Sequence, residues 1–139
     1  MGLIYAEIEL INGEDLVLER KGYIHADEIK KINISALVDT GAYMLAINEN
    51  IQEYLQLPVV GNTTAVLANG TKIECKIVAP IDVRFKNRVT TCRALVLPGD
   101  LEPLLGAIPL EDMDVWINPL RQRLEINPDH PDMQMTMLK

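Results

Sequence analysis

The sequence predicts an all-β domain, on three observations. Hydrophobic residues make up 48% of the 139 positions, with a single Trp and a single Phe. The core must therefore be aliphatic, and the frequent Val, Ile and Thr favour strands. Apolar residues recur mostly at every second position, the period of a half-buried strand. Two short polar turns, Asn69-Gly70 and Lys86-Asn87, each lie between apolar runs, which is the local signature of a β-hairpin. The length suits one domain with a real core. Residues 1–127 are assigned to it and 128–139 to a C-terminal tail.

Residues 3–11 alternate, with Ile4, Ala6, Ile8 and Leu10 on one face and Tyr5, Glu7 and Glu9 on the other, giving a first strand. Asn12-Gly13 ends it. Residues 14–21 read as a short helix, acidic first and basic last, with Gly22 as its stop. A helical turn is expected near Asp27-Glu28. Ile32, Ile34, Ala36 and Val38 alternate again and lead into Asp39. Residues 43–47 form a strand, and Asn48 caps a helix over 49–55 that Pro58 closes. Residues 63–67 and 71–77 flank Ala68-Asn69-Gly70, and 81–85 and 89–97 flank the second hairpin turn. In that second register Cys92 faces Ile81 and Cys75 faces Pro98, which predicts two free, reduced thiols. Pro98-Gly99-Asp100 is a turn. Pro109 opens a short helix through Met113. Residues 115–117 and 123–126 are strands joined at Asn118-Pro119. The segment from Pro128 has no period and reads as a loose tail, with Met133, Met135 and Met137 as its only candidate interaction edge. The total is roughly eight strands and two or three short helices.

Composition excludes several function classes. A net charge of −7 without a basic cluster argues against nucleic acid or an anionic membrane as partner. No apolar run reaches the ~20 residues of a membrane span. The N-terminus lacks the basic start of a signal peptide, so a cytoplasmic location is expected. Two cysteines are too few for a zinc ribbon, and His130 among prolines reads as a solvated turn, so no metal is assigned. Ser35 sits within a strand, away from any nucleophile elbow. Neither cysteine has a nearby His, and no glycine-rich phosphate loop occurs. No organic cofactor is expected. Trp116 reads as a core or interface aromatic.

The most chemically specific stretch is Ala36-Leu37-Val38-Asp39-Thr40-Gly41-Ala42. An ionised carboxylate directly after an apolar run is costly unless something satisfies it. Thr40 adds a hydroxyl that both donates and accepts, and Gly41 permits backbone geometry and close approach denied to other residues. These letters alone also fit a structural turn, since Asp and Gly favour turns. Three features in order narrow the reading: the strand ending in Asp39-Thr40-Gly41-Ala42, the hairpin tipped by Ala68-Asn69-Gly70, and Leu104-Leu105-Gly106 before a short helix.

On those features residues 32–126 resemble the retroviral-type (retropepsin-like) single-domain aspartic proteases, in the form of a small bacterial member. The resemblance implies a closed acid-protease barrel that works as a homodimer. Asp39 would be the catalytic carboxylate. Thr40, Gly41 and Ala42 would support the catalytic turn, with Thr40 bonding to the partner's backbone. Ala68, Asn69 and Gly70 would form a flap over substrate, and Leu104, Leu105 and Gly106 would pack beside the turn. The chain departs from the family in four places. Residues 14–31 are an inserted segment, Ala107 and Ile108 replace a charged brace, the flap tip has fewer glycines, and Ala42 lacks the hydroxyl that often follows the motif. The last departure predicts activity nearer neutral pH. Retroviral relatives pair their chain ends in an interfacial sheet, for which residues 3–10 and 123–126 are the candidates.

Peptide hydrolysis by carboxylates needs two of them close enough to share a proton. This chain has one Asp-Thr-Gly, so each subunit of a dimer would give one Asp39. The expected activity is that of an aspartic endopeptidase on an extended peptide or protein substrate. The reading from a different class is a catalytically silent dimeric barrel that binds peptides or serves assembly, with Asp39 kept for its turn.

Overall fold

A computed structural model describes residues 2–136 and 138. The described chain forms β1 (Tyr5–Asn12), α1 (Gly13–Arg20), a 3-10 turn (Ala26–Glu28), β2 (Lys31–Val38), β3 (Leu45–Asn48), α2 (Glu49–Leu55), β4 (Val59–Val66), β5 (Lys72–Phe85), β6 (Arg88–Leu97), β7 (Leu104–Leu105), α3 (Ala107–Asp112), β8 (Val115–Asn118) and β9 (Arg123–Ile126). The main sheet runs β1-β2-β7-β3-β6-β5-β4, and β1 also pairs with β5. That extra pairing closes six strands into a barrel, with β4 hanging from β5 outside the ring. This is the closed acid-protease-like barrel that the resemblance implies, with three short helices where two or three were expected.

The interior is aliphatic, as the composition requires. Leu10, Leu45, Ile47, Leu55, Ile81, Val83, Leu105 and Met113 are fully buried. Six come from strands around the ring, Leu55 from α2 and Met113 from the end of α3, so the barrel is filled by side chains. Among the described residues no helix is long and apolar enough to cross a membrane.

β5 is one 14-residue strand serving both hairpins, where the alternation suggests two strands. Its register against β6 shifts between Val78 and Ile81. Ala79-Pro80 occupies the irregularity, where a proline without an N–H is tolerated. Ile81 faces Cys92 as expected, but beyond the shift Lys76 faces Val96, one residue short of the unshifted register. The Cys75–Pro98 pairing is therefore displaced by one. Both cysteines are free.

Helix ends follow side-chain chemistry. Asn12 accepts from the Asp15 N–H at 3.1 Å, and Asn48 accepts from the Ile51 N–H at 2.9 Å. α2 stops at Gln56 in the left-handed conformation (φ 52°), before Pro58 is reached. α3 begins at Ala107 after Gly106, so Pro109 is its third residue, still inside the first turn where a missing N–H costs little.

The inserted segment lies far from Asp39. It leaves β1 at Asn12 and enters β2 at Lys31, whereas Asp39 follows the other end of β2. Eight residues at ~3.3 Å each put roughly 25 Å between the two ends. Asp15 ties the segment down by accepting from the Lys30 backbone at 2.9 Å and pairing with its ammonium at 3.0 Å. β1 pairs with β2 from Tyr5 to Ile11 and with β5 from Glu9 to Asn12. It is a wall of its own barrel.

The C-terminal segment differs from the loose tail that its composition predicts. The Gln134 amide lies along β6, accepting from Val89 N–H at 2.8 Å and donating to Val89 O at 2.8 Å. Arg88, 1% exposed, donates to His130 O. Asn87 donates to Pro131 O at 3.1 Å. The Asp114 carboxylate accepts from Asn127 Nδ2 at 3.0 Å and Met135 N–H at 3.0 Å, and His130 Nδ1 lies at 2.8 Å. Single side-chain clamps of this kind carry no periodicity. Met137, the third methionine of the suggested edge, lies outside the described residues.

Burial acts to raise the Asp114 carboxyl, but the Met135, His130 and Asn127 donors outweigh it and hold the group below its ordinary 3.8. A carboxyl lowered on folding stabilises above its unfolded value, and that contribution disappears as pH falls through the native value. Asp114→Ala is therefore expected to lower the melting temperature by a few degrees at neutral pH. The gap from wild type should narrow as pH falls through and below the ordinary 3.8. Thermal melts of both proteins at each pH check this, and an equal gap in acid would contradict it.

Candidate active site

β2 delivers Asp39 to a turn that is pinned on both sides. Backbone N–H groups alternate between the two neighbours, as strand geometry requires. Leu37 N–H donates to Pro103 O at 3.0 Å, Val38 N–H to Ile4 O at 2.8 Å and Asp39 N–H to Leu105 O at 3.1 Å. The chain then turns. Gly41 N–H donates to Asp39 Oδ1 at 2.9 Å, and Ala42 N–H to Asp39 O at 3.1 Å. The carboxylate thus orders its own turn, which satisfies one oxygen and fixes its direction. Gly41 is not in the left-handed conformation. A Cβ there would crowd the carboxylate, lying 3.2 Å from Asp39 Oδ1.

The strands that bracket this turn are not neighbours. β7 lies between them, parallel to β2 through Leu37–Leu104 and Val38–Leu105 and antiparallel to β3 through Ala46–Leu104. Gly106 then passes so close to the turn that a Cβ would fall 2.3 Å from Met44 O and 2.8 Å from Ala42 O. Beyond it, Ala107 N–H donates to Ala42 O at 2.9 Å and Ile108 N–H to Tyr43 O at 3.0 Å. The first free N–H groups of α3 are satisfied by carbonyls of the Asp39 loop. Asp39, Thr40, Gly41 and Ala42 are thereby locked to Leu104, Leu105 and Gly106 through backbone alone.

Asp39 is half-buried, and Thr40 and Gly41 are exposed. Among the described residues the ion pairs are Lys30–Asp15, Arg121–Glu125, Arg123–Glu125 and His130–Asp114, and none involves Asp39. Asp39 is thus a half-buried carboxylate ordered by a glycine N–H, with no ion pair among the described residues.

Ala68, Asn69 and Gly70 stand apart. They form a three-residue hairpin loop in which Gly70 N–H donates to Leu67 O at 2.9 Å. Asn69 Oδ1 accepts from Thr71 N–H at 2.9 Å, and Gly70 takes φ 86°. All three are exposed, at the tip of a hairpin whose β4 strand lies outside the closed ring. Among the described residues no hydrogen bond joins this loop to the Asp39 turn.

Other candidates resolve differently. His130 pairs with Asp114 and is a clamp rather than a solvated turn. Burial, with Asp82 and Asp112 adding, pushes the Cys92 thiol up to about 12. A thiol held protonated is no nucleophile at neutral pH. Two features escaped the sequence reading. The Tyr43 carbonyl anchors α3, a backbone role that leaves no mark on residue type. An open groove of about 310 Å³ also borders Thr40, lined by Leu110, Glu111, Trp116, Ile117 and Leu124 among others. It arises because β8 and β9 fold back beside α3, a tertiary arrangement without a spacing signal.

The family model for gag-polyprotein putative aspartyl protease matches residues 27–112. That span takes in the Asp39 turn, the β4–β5 hairpin and the Leu104–Gly106 strand. No curated protein matches the chain.

Proposed function

The chain belongs to the gag-polyprotein aspartyl protease family, and from that premise we propose that it is an aspartic endopeptidase whose active form is a homodimer with one Asp39 from each subunit. The observation that carries the reading is the Asp39 turn itself, a single accessible carboxylate fixed by backbone bonds on a strand end. Two carboxylates brought together cannot both ionise, so the pair holds one proton. The ionised member takes a proton from water, which attacks the peptide carbonyl. The protonated member hydrogen-bonds the carbonyl oxygen as charge develops, and the amine leaves with a proton returned from the pair. An extended substrate would lie between the β4–β5 hairpin and the Asp39 floor, adding main-chain bonds to strand edges.

The Asp39–Gly41 bond also favours a second reading. A carboxylate that orders its turn has a structural reason to be there, as in a silent peptide-binding barrel. Digestion of a diverse peptide pool at several pH values, read by mass spectrometry, separates the two. Cuts made by wild type and absent with Asp39→Asn support the protease. No cuts from either protein, with peptides retained by both, support the binding module.

Ala42 supplies no hydroxyl to the carboxylate pair. Ala42→Ser is expected to extend activity toward acid, because an added donor favours the ionised form. The measurement is kcat/KM against pH for both proteins. An acid limb that stays in place would contradict this role for position 42.

A further inference from the structure

We infer that residues 127–136 form a strap that positions the Asp39 loop from the far end of α3, with His130 and Gln134 as its positioning residues. The effect on rate rests on the protease reading above; the hold on the loop does not. Residues 27–112 are the span of the family match, so the strap lies outside it.

α3 has six residues, about 9 Å of helix at ~1.5 Å per residue. A helix so short has no stability of its own in water and keeps its place only through what holds it. Its first N–H groups, those of Ala107 and Ile108, donate to Ala42 O and Tyr43 O of the Asp39 loop. Leu110 and the following Met113 anchor its inner side in the core. The strap holds its C-terminal end. Asp112 O, one of the last carbonyls that no helical N–H reaches, accepts from Gln134 Nε2 at 2.6 Å. The same amide group bonds both backbone groups of Val89 at 2.8 Å, so Gln134 ties α3 to β6. Just beyond, Asp114 takes φ 57°, a conformation that a residue with a side chain keeps where its surroundings impose it. Here Met135 N–H donates to Asp114 Oδ2 at 3.0 Å, and His130 Nδ1 lies 2.8 Å from the same oxygen. α3 is therefore a strut with the Asp39 loop at one end and the strap at the other.

The strap is also finely balanced. Arg88 is 1% exposed and donates to His130 O, yet its Nε and Nη1 have no partner among the described residues. Burying a guanidinium so incompletely met opposes closure of the strap, and release would hydrate it. The bonds made by His130 and Gln134 side chains therefore decide whether the strap stays closed. Two side chains thus set the position of a loop to which, among the described residues, they make no bond.

The test is amide hydrogen exchange at Ala107 and Ile108, read by NMR in the full chain, beside kcat and KM on a cleaved peptide. Gln134→Ala and His130→Ala should remain folded at the assay temperature and exchange both amides roughly tenfold faster than wild type. Their kcat should fall roughly tenfold with KM unchanged, at protein concentrations where the rate per chain is constant. His130→Asn should recover most of both losses, because its amide nitrogen takes the place of Nδ1 beside Asp114. Met133→Ala, at a 64% exposed site on the same strap, should match wild type. Gln134 is a partly exposed surface side chain, so its variant stays decisive if His130→Ala misfolds. Folded variants whose Ala107 and Ile108 amides exchange as in wild type, or whose kcat is unchanged, overturn this inference alone. A wild type that cleaves no peptide overturns the protease reading, and the exchange rates then decide the strap's hold on the loop by themselves.

Discussion

Replacing Asp39 with Asn is expected to abolish peptide hydrolysis, by at least about a thousandfold in kcat/KM, while leaving the barrel intact. The substitution is nearly isosteric. Asn keeps an oxygen to accept the Gly41 N–H, which lies 2.9 Å from Asp39 Oδ1. It adds no bulk to a half-buried site. No cation is paired with Asp39 among the described residues, so no ion pair is broken. Stability should change by no more than about 0.5 kcal/mol. What is lost is the negative oxygen that accepts a proton from water, and an amide cannot replace it. Thermal melts beside rate measurements separate this result from one in which the turn collapses. Appreciable hydrolysis by a folded Asp39→Asn protein would place the chemistry elsewhere.

Gly106→Ala is expected to be the most damaging single-methyl substitution in the chain. The added carbon would meet Met44 O at 2.3 Å, Ala42 O at 2.8 Å and Met44 C at 2.9 Å. All three are backbone atoms, so no rotamer change relieves the clash. Either β7 and α3 withdraw from the Asp39 loop or the loop withdraws from them. Withdrawal breaks the bonds from Ala107 N–H to Ala42 O and from Ile108 N–H to Tyr43 O. Overpacking of this kind costs about 1–3 kcal/mol, and two strained hydrogen bonds add about 1–2 kcal/mol more. The melting temperature should fall by roughly 10 °C. Any protein that stays folded should lose most of its activity, because the displaced loop carries Asp39. Gly61→Ala is the control, since a Cβ there meets nothing within 4 Å. Equal melting temperatures for the two variants would show that the close approach at Gly106 is not a constraint.

Much of this was legible in the sequence because it depends on local chemistry. Asn12 and Asn48 cap helices wherever they precede one. Alternation in residues 3–11 and 32–38 becomes strand once a core exists to bury one face. The Asp39 turn and its link to Leu104-Leu105-Gly106 were legible by resemblance, and the geometry supplies the physical reason in the missing Cβ of Gly106. The illegible parts depend on tertiary contacts. The register shift at Ala79-Pro80 lies in a strand that pairs with both β1 and β6. The clamp of Asp114, His130 and Gln134 is made of isolated polar side chains without a period. The groove beside Thr40 exists only because β8 and β9 return against α3.

The central claim is that each active centre takes one Asp39 from each of two chains, and subunit mixing tests it most directly. Wild-type and Asp39→Asn chains are combined in equal amounts, allowed to exchange and assayed on a cleaved peptide. If both carboxylates are needed, random pairing leaves about a quarter of the dimers fully wild type. Activity per wild-type chain should then fall to about half, and further as more Asn chain is added. Activity per wild-type chain that stays constant through the titration, with exchange verified by mass, would mean that a single Asp39 suffices and would contradict the account.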